Sequence, residues 1–285
     1  NISNKAQQMP ASAIRKLVPF ADAAKKEGVK VYHLNLGQPD IKSPACALEA
    51  IKNYSKENIS YSHSAGLMEL RQGLVEKYYK NIGIDITVDE LIVTVAGSES
   101  VNLALEIACD PGDEVLVLEP FYTNYNTFAF MNELTLKAIP TDIRKGFQIP
   151  DIEEFEKAIT PKTKAILICN PGNPTGTQYS KESMLALGEI ARKHDLFLLS
   201  DEVYREFCYT DEPHFSAMNI PGLEQNVILI DSVSKRYNLC GARIGCIVSH
   251  NKDVMSAAMK FAQARLCSPV LGQYAAIGAL DTPES

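Results

Sequence analysis

The sequence predicts an α/β protein: a three-layer α/β/α arrangement around a mostly parallel seven-stranded sheet with one antiparallel strand. Three observations predict it. Short apolar runs of strand length recur at Leu91–Val95, Glu114–Leu118, Leu134–Ile139, Lys164–Cys169, Leu196–Ser200, Val227–Asp231 and Ile244–Val248. Stretches of helical character separate many of them, at 98–109, 122–132, 151–159 and 181–194. Such alternation marks parallel strands joined by crossover helices that cover both faces of a sheet. Between Asp231 and Ile244 there are too few residues for a crossover helix, so the last strand runs antiparallel to its neighbour if the two pair directly.

Ahead of the first strand, residues 1–40 read as an N-terminal arm that is part of a small domain. Ser12 is a candidate helix cap there, and Gly37-Gln-Pro-Asp40 breaks the chain. Residues 41–285 read as one large domain. Helices are expected over 44–54 and 66–81, with Gly83 following the second, and over 251–280 with Pro269 and Gly272 interrupting. A chain of 285 residues can bury one large core, or a core with a smaller appendage.

Hydrophobic content of 46% and charged content of 22% are ordinary for a soluble globular protein. A net charge of −7 argues against a nucleic-acid partner, which calls for a basic face. No apolar stretch approaches the length of a membrane span: Val227–Ile230 is cut by Asp231 and Ala275–Leu280 is short. The first residues are polar, without a signal-peptide core and without an initiator Met, so at least one residue is expected to be removed or left out. The seven cysteines are scattered, with no CxxC, and the five histidines lack metal-ligand spacing. This pattern suits a reducing cytosol and no metal site.

Ligands of open α/β sheets collect beyond the carboxyl ends of the strands, and here five strands end in residues of unusual type. After Leu91–Val95 comes Ala96-Gly97-Ser98 at a helix start, where free amides favour an anion; the plain alternative is a strand–turn–helix capped by Ser98. After Glu114–Leu118 comes Glu119-Pro-Phe-Tyr122, an aromatic able to stack on a planar ring or to serve in the core. After Lys164–Cys169 the doubled Asn-Pro of Asn170-Pro-Gly-Asn-Pro-Thr-Gly176 makes a stiff turn that holds the Asn173 side chain in a fixed direction. After Leu196–Leu199 comes Ser200-Asp201-Glu-Val-Tyr204. The Asp201 carboxylate is expected to be partly buried, so it needs a cationic or hydrogen-bonding partner, unless it is simply a helix cap. Asp201 and Tyr204 would share a face if that turn is helical. After Val227–Asp231 come Ser232 and Lys235, and Arg243 enters the last strand. A lysine emerging at a strand end, with a serine three before it and an arginine eight after it, suggests an imine to an aldehyde cofactor whose anionic group the Ser and Arg hold.

Together, the segments Asn170–Gly176, Ser200–Tyr204 and Ser232-Val-Ser-Lys235 through Gly241-Ala-Arg243 closely resemble the class I/II aminotransferases. These are pyridoxal-phosphate-dependent enzymes of fold type I in the aspartate aminotransferase superfamily. The likeness runs from about residue 30 to the end, in family order. It implies that Lys235 forms the imine and shuttles the Cα proton, and that Asp201 keeps the pyridine nitrogen protonated. Tyr204 and Asn173 would hydrogen-bond the phenolic oxygen, Asn173 also touching substrate, and Tyr122 would stack on the ring. Ala96, Gly97 and Ser98, with Ser232 and Arg243, would cradle the phosphate. Tyr61 would reach the phosphate of a neighbouring subunit, which implies a homodimer with shared sites, and the backbone of Gly37 would line the substrate carboxylate pocket. The substrates implied are an amino acid and a 2-oxo acid.

Family members continue for roughly another hundred residues. The chain is therefore expected to lack most of the small domain and the arginine that grips the substrate α-carboxylate; Arg265 matches no family position. Ser98 stands where some aspartate-specific bacterial relatives carry lysine, which weakens an aspartate assignment. Carbon–sulfur lyases of the same fold use the same lysine, so lyase chemistry and a non-catalytic cofactor-binding fragment remain the alternatives.

Overall fold

A computed structural model describes residues 1–12, 14–35, 37 and 39–282. The strands are β1 (Leu91–Thr94), β2 (Glu114–Glu119), β3 (Thr135–Pro140), β4 (Thr163–Cys169), β5 (Phe197–Asp201), β6 (Val227–Ser232) and β7 (Gly245–Val248), in one sheet of order β1-β7-β6-β5-β4-β2-β3. Strands β6, β5, β4, β2 and β3 run parallel, while β7 lies antiparallel between β1 and β6. The short Asp231–Ile244 connection therefore produces the antiparallel strand expected of it.

The inner strands are apolar on both faces because helices cover both, whereas the edge strand β3 is largely exposed or half-buried. Leu116, Ile166, Leu198 and Leu229 face one core, Val117, Leu167, Leu199 and Ile230 the other. The first core is closed by α3 (Ala45–Lys52), α4 (Met68–Gly73), α7 (Ile152–Ala158), α8 (Lys181–Lys193) and α11 (Val270–Ala279). The second is closed by α5 (Ala96–Ala108), α6 (Asn124–Met131) and α10 (Lys252–Arg265). Short α1 (Asn4–Gln8) and α2 (Val18–Lys26) lie in the N-terminal arm without a buried residue, and α9 (Val233–Arg236) follows β6. Among the described residues no helix is long and apolar enough to cross a membrane.

Two expected elements differ in detail. The helix over 66–81 changes from α at Met68–Gly73 to π at Leu74–Tyr79 and 3₁₀ at Lys80–Ile82, ending at left-handed Gly83. An α-helix sets neighbouring residues about 100° apart. The wider π turn accompanies the burial of both Tyr78 and Tyr79, where they meet Arg205 and Asp231 near the carboxyl ends of β5 and β6. Gly272 does not interrupt its helix: Pro269 caps α11, and Gly272 lies within it. A Cβ at Gly272 would stand 2.3 Å from the Ala242 carbonyl oxygen, so the glycine lets α11 press against the turn that carries Arg243.

Candidate active site

The carboxyl ends of β1, β4, β5 and β6 and the turn before β7 converge on Lys235. Helix α9 starts from Ser232, whose Oγ accepts from the Ser234 amide at 3.1 Å and donates to the Ile244 carbonyl at 2.9 Å. Lys235 is half-buried. Its Nζ donates to the Gly37 carbonyl at 2.5 Å and lies 5.7 Å from the centre of the Tyr204 ring. Burial lowers its pKa, and Arg243 pushes the same way, against Cys240 and Asp201. A lysine shifted down in this way has more free amine near neutral pH, which nucleophilic and proton-transfer roles require.

Asp201 ends β5 with its side chain buried. Burial raises its pKa to about 6, opposed by hydrogen bonds from Tyr125 Oη to Oδ2 at 2.8 Å and from the Val203 amide to Oδ1 at 3.3 Å. Among the described residues it has no ion-pair partner. The segment beyond it is a turn rather than a helix. Tyr204 still comes back over the site, with Asn173 Nδ2 3.5 Å from its Oη. Burial raises the Tyr204 pKa, so the phenol remains a proton-bearing group. Tyr122 stands edge-on to Tyr125 at 5.5 Å between ring centres, and its Oη accepts from Asn124 at 2.7 Å.

At the end of β1, helix α5 begins at Ala96, which adopts a left-handed φ of 60°. Val95 is the N-cap residue, so Ser98 sits within the first turn and the expected alternative of Ser98 as cap does not hold. The Glu99 carboxylate accepts instead from the Val95 amide, and its other oxygen accepts from Arg265 Nε at 3.0 Å. Arg265 also donates to the Val93 carbonyl at 3.0 Å; it braces this turn. Gly245 makes the close approach possible, since a Cβ there would lie 2.5 Å from the Ala96 carbonyl carbon and 2.7 Å from the Gly97 nitrogen. The first-turn amides of Ala96, Gly97 and Ser98 have no intrahelical acceptor. Arg243, at φ 57°, spends Nη1 on the Cys240 carbonyl at 3.0 Å and is otherwise exposed.

The structure thus brings Lys235, Asp201, Tyr204, Asn173 and Gly37 together, with Tyr122 and Arg243 close enough to influence one another's charge. Ser232, Ala96, Gly97 and Ser98 form the adjoining rim, where a Cβ on Gly97 would lie 3.7 Å from the Ser232 Cβ. Tyr61 is set apart: it lies on the chain between α3 and α4, 78% exposed.

Tyr125 is the group missed in the sequence. Its signal was present, a second tyrosine one helical turn after Tyr122 and a buried carboxylate that needed a donor. Tyr125→Phe removes that donor. The Asp201 carboxyl is expected to titrate about one pH unit or more higher, a hydrogen bond to a charged group being worth about 1.5–3 kcal/mol. Carbon NMR of the labelled carboxyl in the cofactor-free protein reads this directly, and an unchanged midpoint contradicts the role given to Tyr125.

The donor set suits one group. A buried carboxylate without a cation calls for a protonated ring nitrogen, free helix amides and a guanidinium call for a phosphate, and a depressed lysine amine calls for an aldehyde. The family described as aminotransferase class I and II matches residues 29–285. A putative aminotransferase of Bacillus subtilis is 36% identical over 98% of this chain and 71% of its own length. A solved aspartate aminotransferase from Thermotoga maritima superposes with a TM-score of 0.92 at 31% identity, over 99% of this chain and 75% of that one. An alanine aminotransferase from Pyrococcus furiosus gives 0.90 at 33% identity, over 99% and 73%.

Proposed function

This chain belongs to the class I and II aminotransferases, and from that premise we propose how it performs transamination and with what cofactor. The enzyme transfers an amino group between an amino acid and a 2-oxo acid. Pyridoxal 5'-phosphate is the cofactor its site fits. The observation that carries this reading is the proximity of Lys235 to buried Asp201, which has no ion-pair partner among the described residues, beside the first turn of α5.

When bound, the cofactor supplies an electron sink for the carbanion left at the amino acid Cα. The chain's own residues do the rest. Asp201, backed by the Tyr125 hydroxyl, would keep the ring nitrogen protonated. Asn173 and Tyr204 Oη hold the phenolic oxygen, Asn173 also facing the substrate. Tyr122 would stack on the ring. The amides of Ala96, Gly97 and Ser98, the Ser232 hydroxyl and Arg243 hold the phosphate. Ser232 must turn its hydroxyl proton from the Ile244 carbonyl to do so. Gly37 lines the substrate carboxylate side, and its carbonyl keeps Lys235 Nζ directed into the cleft. Lys235 Nζ, its pKa lowered by burial, would be the base that accepts the proton from the amino acid Cα.

Residues 41–285 constitute the cofactor-binding domain and residues 1–40 an arm belonging to the small domain. Exposed Tyr61 and Ile59, together with Leu17, Val18, Phe20 and Leu34 of the arm, support a homodimer in which Tyr61 completes the partner's phosphate site. Cysteines that are all free thiols suit the cytosol.

The test is the visible spectrum of the cofactor-loaded protein as amino acids are added singly. The expected result is loss of the visible band with one or a few donors, in step with release of the matching 2-oxo acid, and its return on adding a 2-oxo acid. Release of ammonia and pyruvate from cystathionine without an oxo-acid acceptor contradicts transamination in favour of elimination.

A further inference from the structure

Four residues of the strand ends, Asp201, Tyr204, Ser232 and Lys235, each have a chain neighbour that enters a buried ionic lattice under the site. Asp201 is followed by Glu202, Tyr204 by Arg205 and Lys235 by Arg236, while Ser232 follows Asp231. The side chains of Glu202, Arg205, Asp231 and Arg236 are 0%, 5%, 1% and 5% exposed. Arg236 Nη2 donates to Asp231 Oδ2 at 2.6 Å and Nε to Glu206 Oε1 at 2.8 Å, with the guanidinium 3.4 Å over the Tyr78 ring. Arg205 donates twice to Glu202 Oε2, at 2.6 and 3.1 Å, and from Nη1 to Tyr78 Oη at 2.9 Å. Its Nη1 stands 3.6 Å from Asp231 Oδ2, which also accepts from Tyr79 Oη at 2.8 Å. Glu202 Oε1 accepts from Ser200 and Ser216 hydroxyls and from the Ala217 amide.

Stability alone does not account for this arrangement, because apolar groups of equal volume commonly stabilise as well or better than a buried ion network. What such a network adds is fixed distance. Helix α9 spans four residues, too few to hold a direction by its own hydrogen bonds. Both its ends are instead fixed by side chains: Ser232 caps the start, and Arg236 at the end reaches back to Asp231, the residue before the cap. The same lattice grips the turn after β5 on either side of Tyr204, through Glu202, Arg205 and Glu206.

We propose that the Arg236–Asp231 pair, tied through Arg205 to Glu202, is a positioning device that sets where Lys235 Nζ stands relative to Asp201 and Tyr204. Arg236 and Asp231 are positioning residues: they touch no reacting atom and act through Lys235. The inference rests on the assignment of Lys235 as the cofactor lysine. Among the described residues, Gly37 accepts from Lys235 Nζ, the centre of the Tyr204 ring lies 5.7 Å away, and Asp201, Cys240 and Arg243 act on its charge through space, all unaltered in the variants below.

The experiment compares pyridoxal-phosphate-loaded parent, Arg236→Lys and the double variant Asp231→Asn with Arg236→Gln, which leaves no orphaned buried charge. The readouts are the pH midpoint of the visible band, kcat and KM for one amino donor, and the melting temperature. In a double variant that melts close to the parent, the midpoint is expected to move by about half a pH unit or more. Its kcat is expected to fall on the order of tenfold to a hundredfold at little-changed KM, as small misplacements of a reacting group do. Arg236→Lys keeps the charge and is expected to recover part of both. A folded double variant with parental midpoint and kcat overturns the proposal and leaves the lattice a packing feature. If the double variant does not fold, Glu206→Gln removes the charge from one acceptor of Arg236 at a partly exposed position, and the same readouts decide in the same way. Lys235→Ala separates the two failures. If that variant keeps the band, the assignment of Lys235 falls and the positioning role with it. If it loses the band while the lattice variants match the parent, only the positioning role falls.

Discussion

Lys235→Ala is expected to lower turnover by on the order of a thousandfold or more and to abolish the visible band of the loaded protein. Proton transfer by a placed side chain contributes roughly 10²–10⁴-fold, and here the same amine also holds the cofactor. Among the described residues no second amine stands beside it: Arg243 donates to the Cys240 carbonyl, and Arg236 is locked in the lattice beneath. The phosphate and ring contacts do not involve Nζ, so cofactor binding measured by equilibrium dialysis is expected to survive. Steady-state assays with an oxo-acid acceptor check the loss; near-parental turnover contradicts the assignment.

Asp201→Asn is expected to produce opposite effects on loaded and cofactor-free protein. In the cofactor-free chain burial raises the carboxyl pKa from the ordinary 3.8 to about 6. The folded value lies above the unfolded one, so the buried carboxyl destabilises the fold. That penalty is absent below pH 3.8, grows between there and pH 6, and is complete above it, reaching about 3 kcal/mol. The neutral amide removes the penalty, so cofactor-free Asp201→Asn is expected to melt a few degrees above the parent at pH 7.5 and to show no advantage at pH 3.5. Loaded protein reverses the order. A protonated ring nitrogen beside the carboxylate restores the missing counter-charge, and an amide cannot hold that proton. Turnover is then expected to fall on the order of a hundredfold or more, as when a transition-state electrostatic partner is removed. Melting curves at the two pH values and turnover assays check both arms. A cofactor-free variant less stable than the parent at pH 7.5 contradicts the unpaired buried carboxylate.

Much of this was legible in the sequence because strand ends are written locally. The apolar runs fixed each strand to within a residue or two, and the short Asp231–Ile244 interval fixed the direction of β7. The residues just past each run, Ala96, Tyr122, Asn173, Asp201 and Lys235, could be named for the same reason. What was not legible depends on pairing across the chain. Tyr125 meets Asp201 across 76 positions, Arg265 meets Glu99 across 166, and Tyr79 meets Asp231 across 152. No local period encodes such partners. The π turn at Leu74–Tyr79 was hidden too, since its sequence satisfies an ordinary helical pattern and only the buried partners of Tyr78 and Tyr79 explain the wider turn. Ser98 as a cap failed because Glu99, braced by distant Arg265, supplies the acceptor.

The central claim is that Lys235 carries the cofactor. The loaded protein, reduced with borohydride, digested and mapped by mass spectrometry, tests it most directly. The expected result is one pyridoxyl-phosphate adduct, on the peptide containing Ser232 to Arg236 and on Lys235 itself. An adduct spread over surface lysines, or confined to any lysine other than Lys235, contradicts the account.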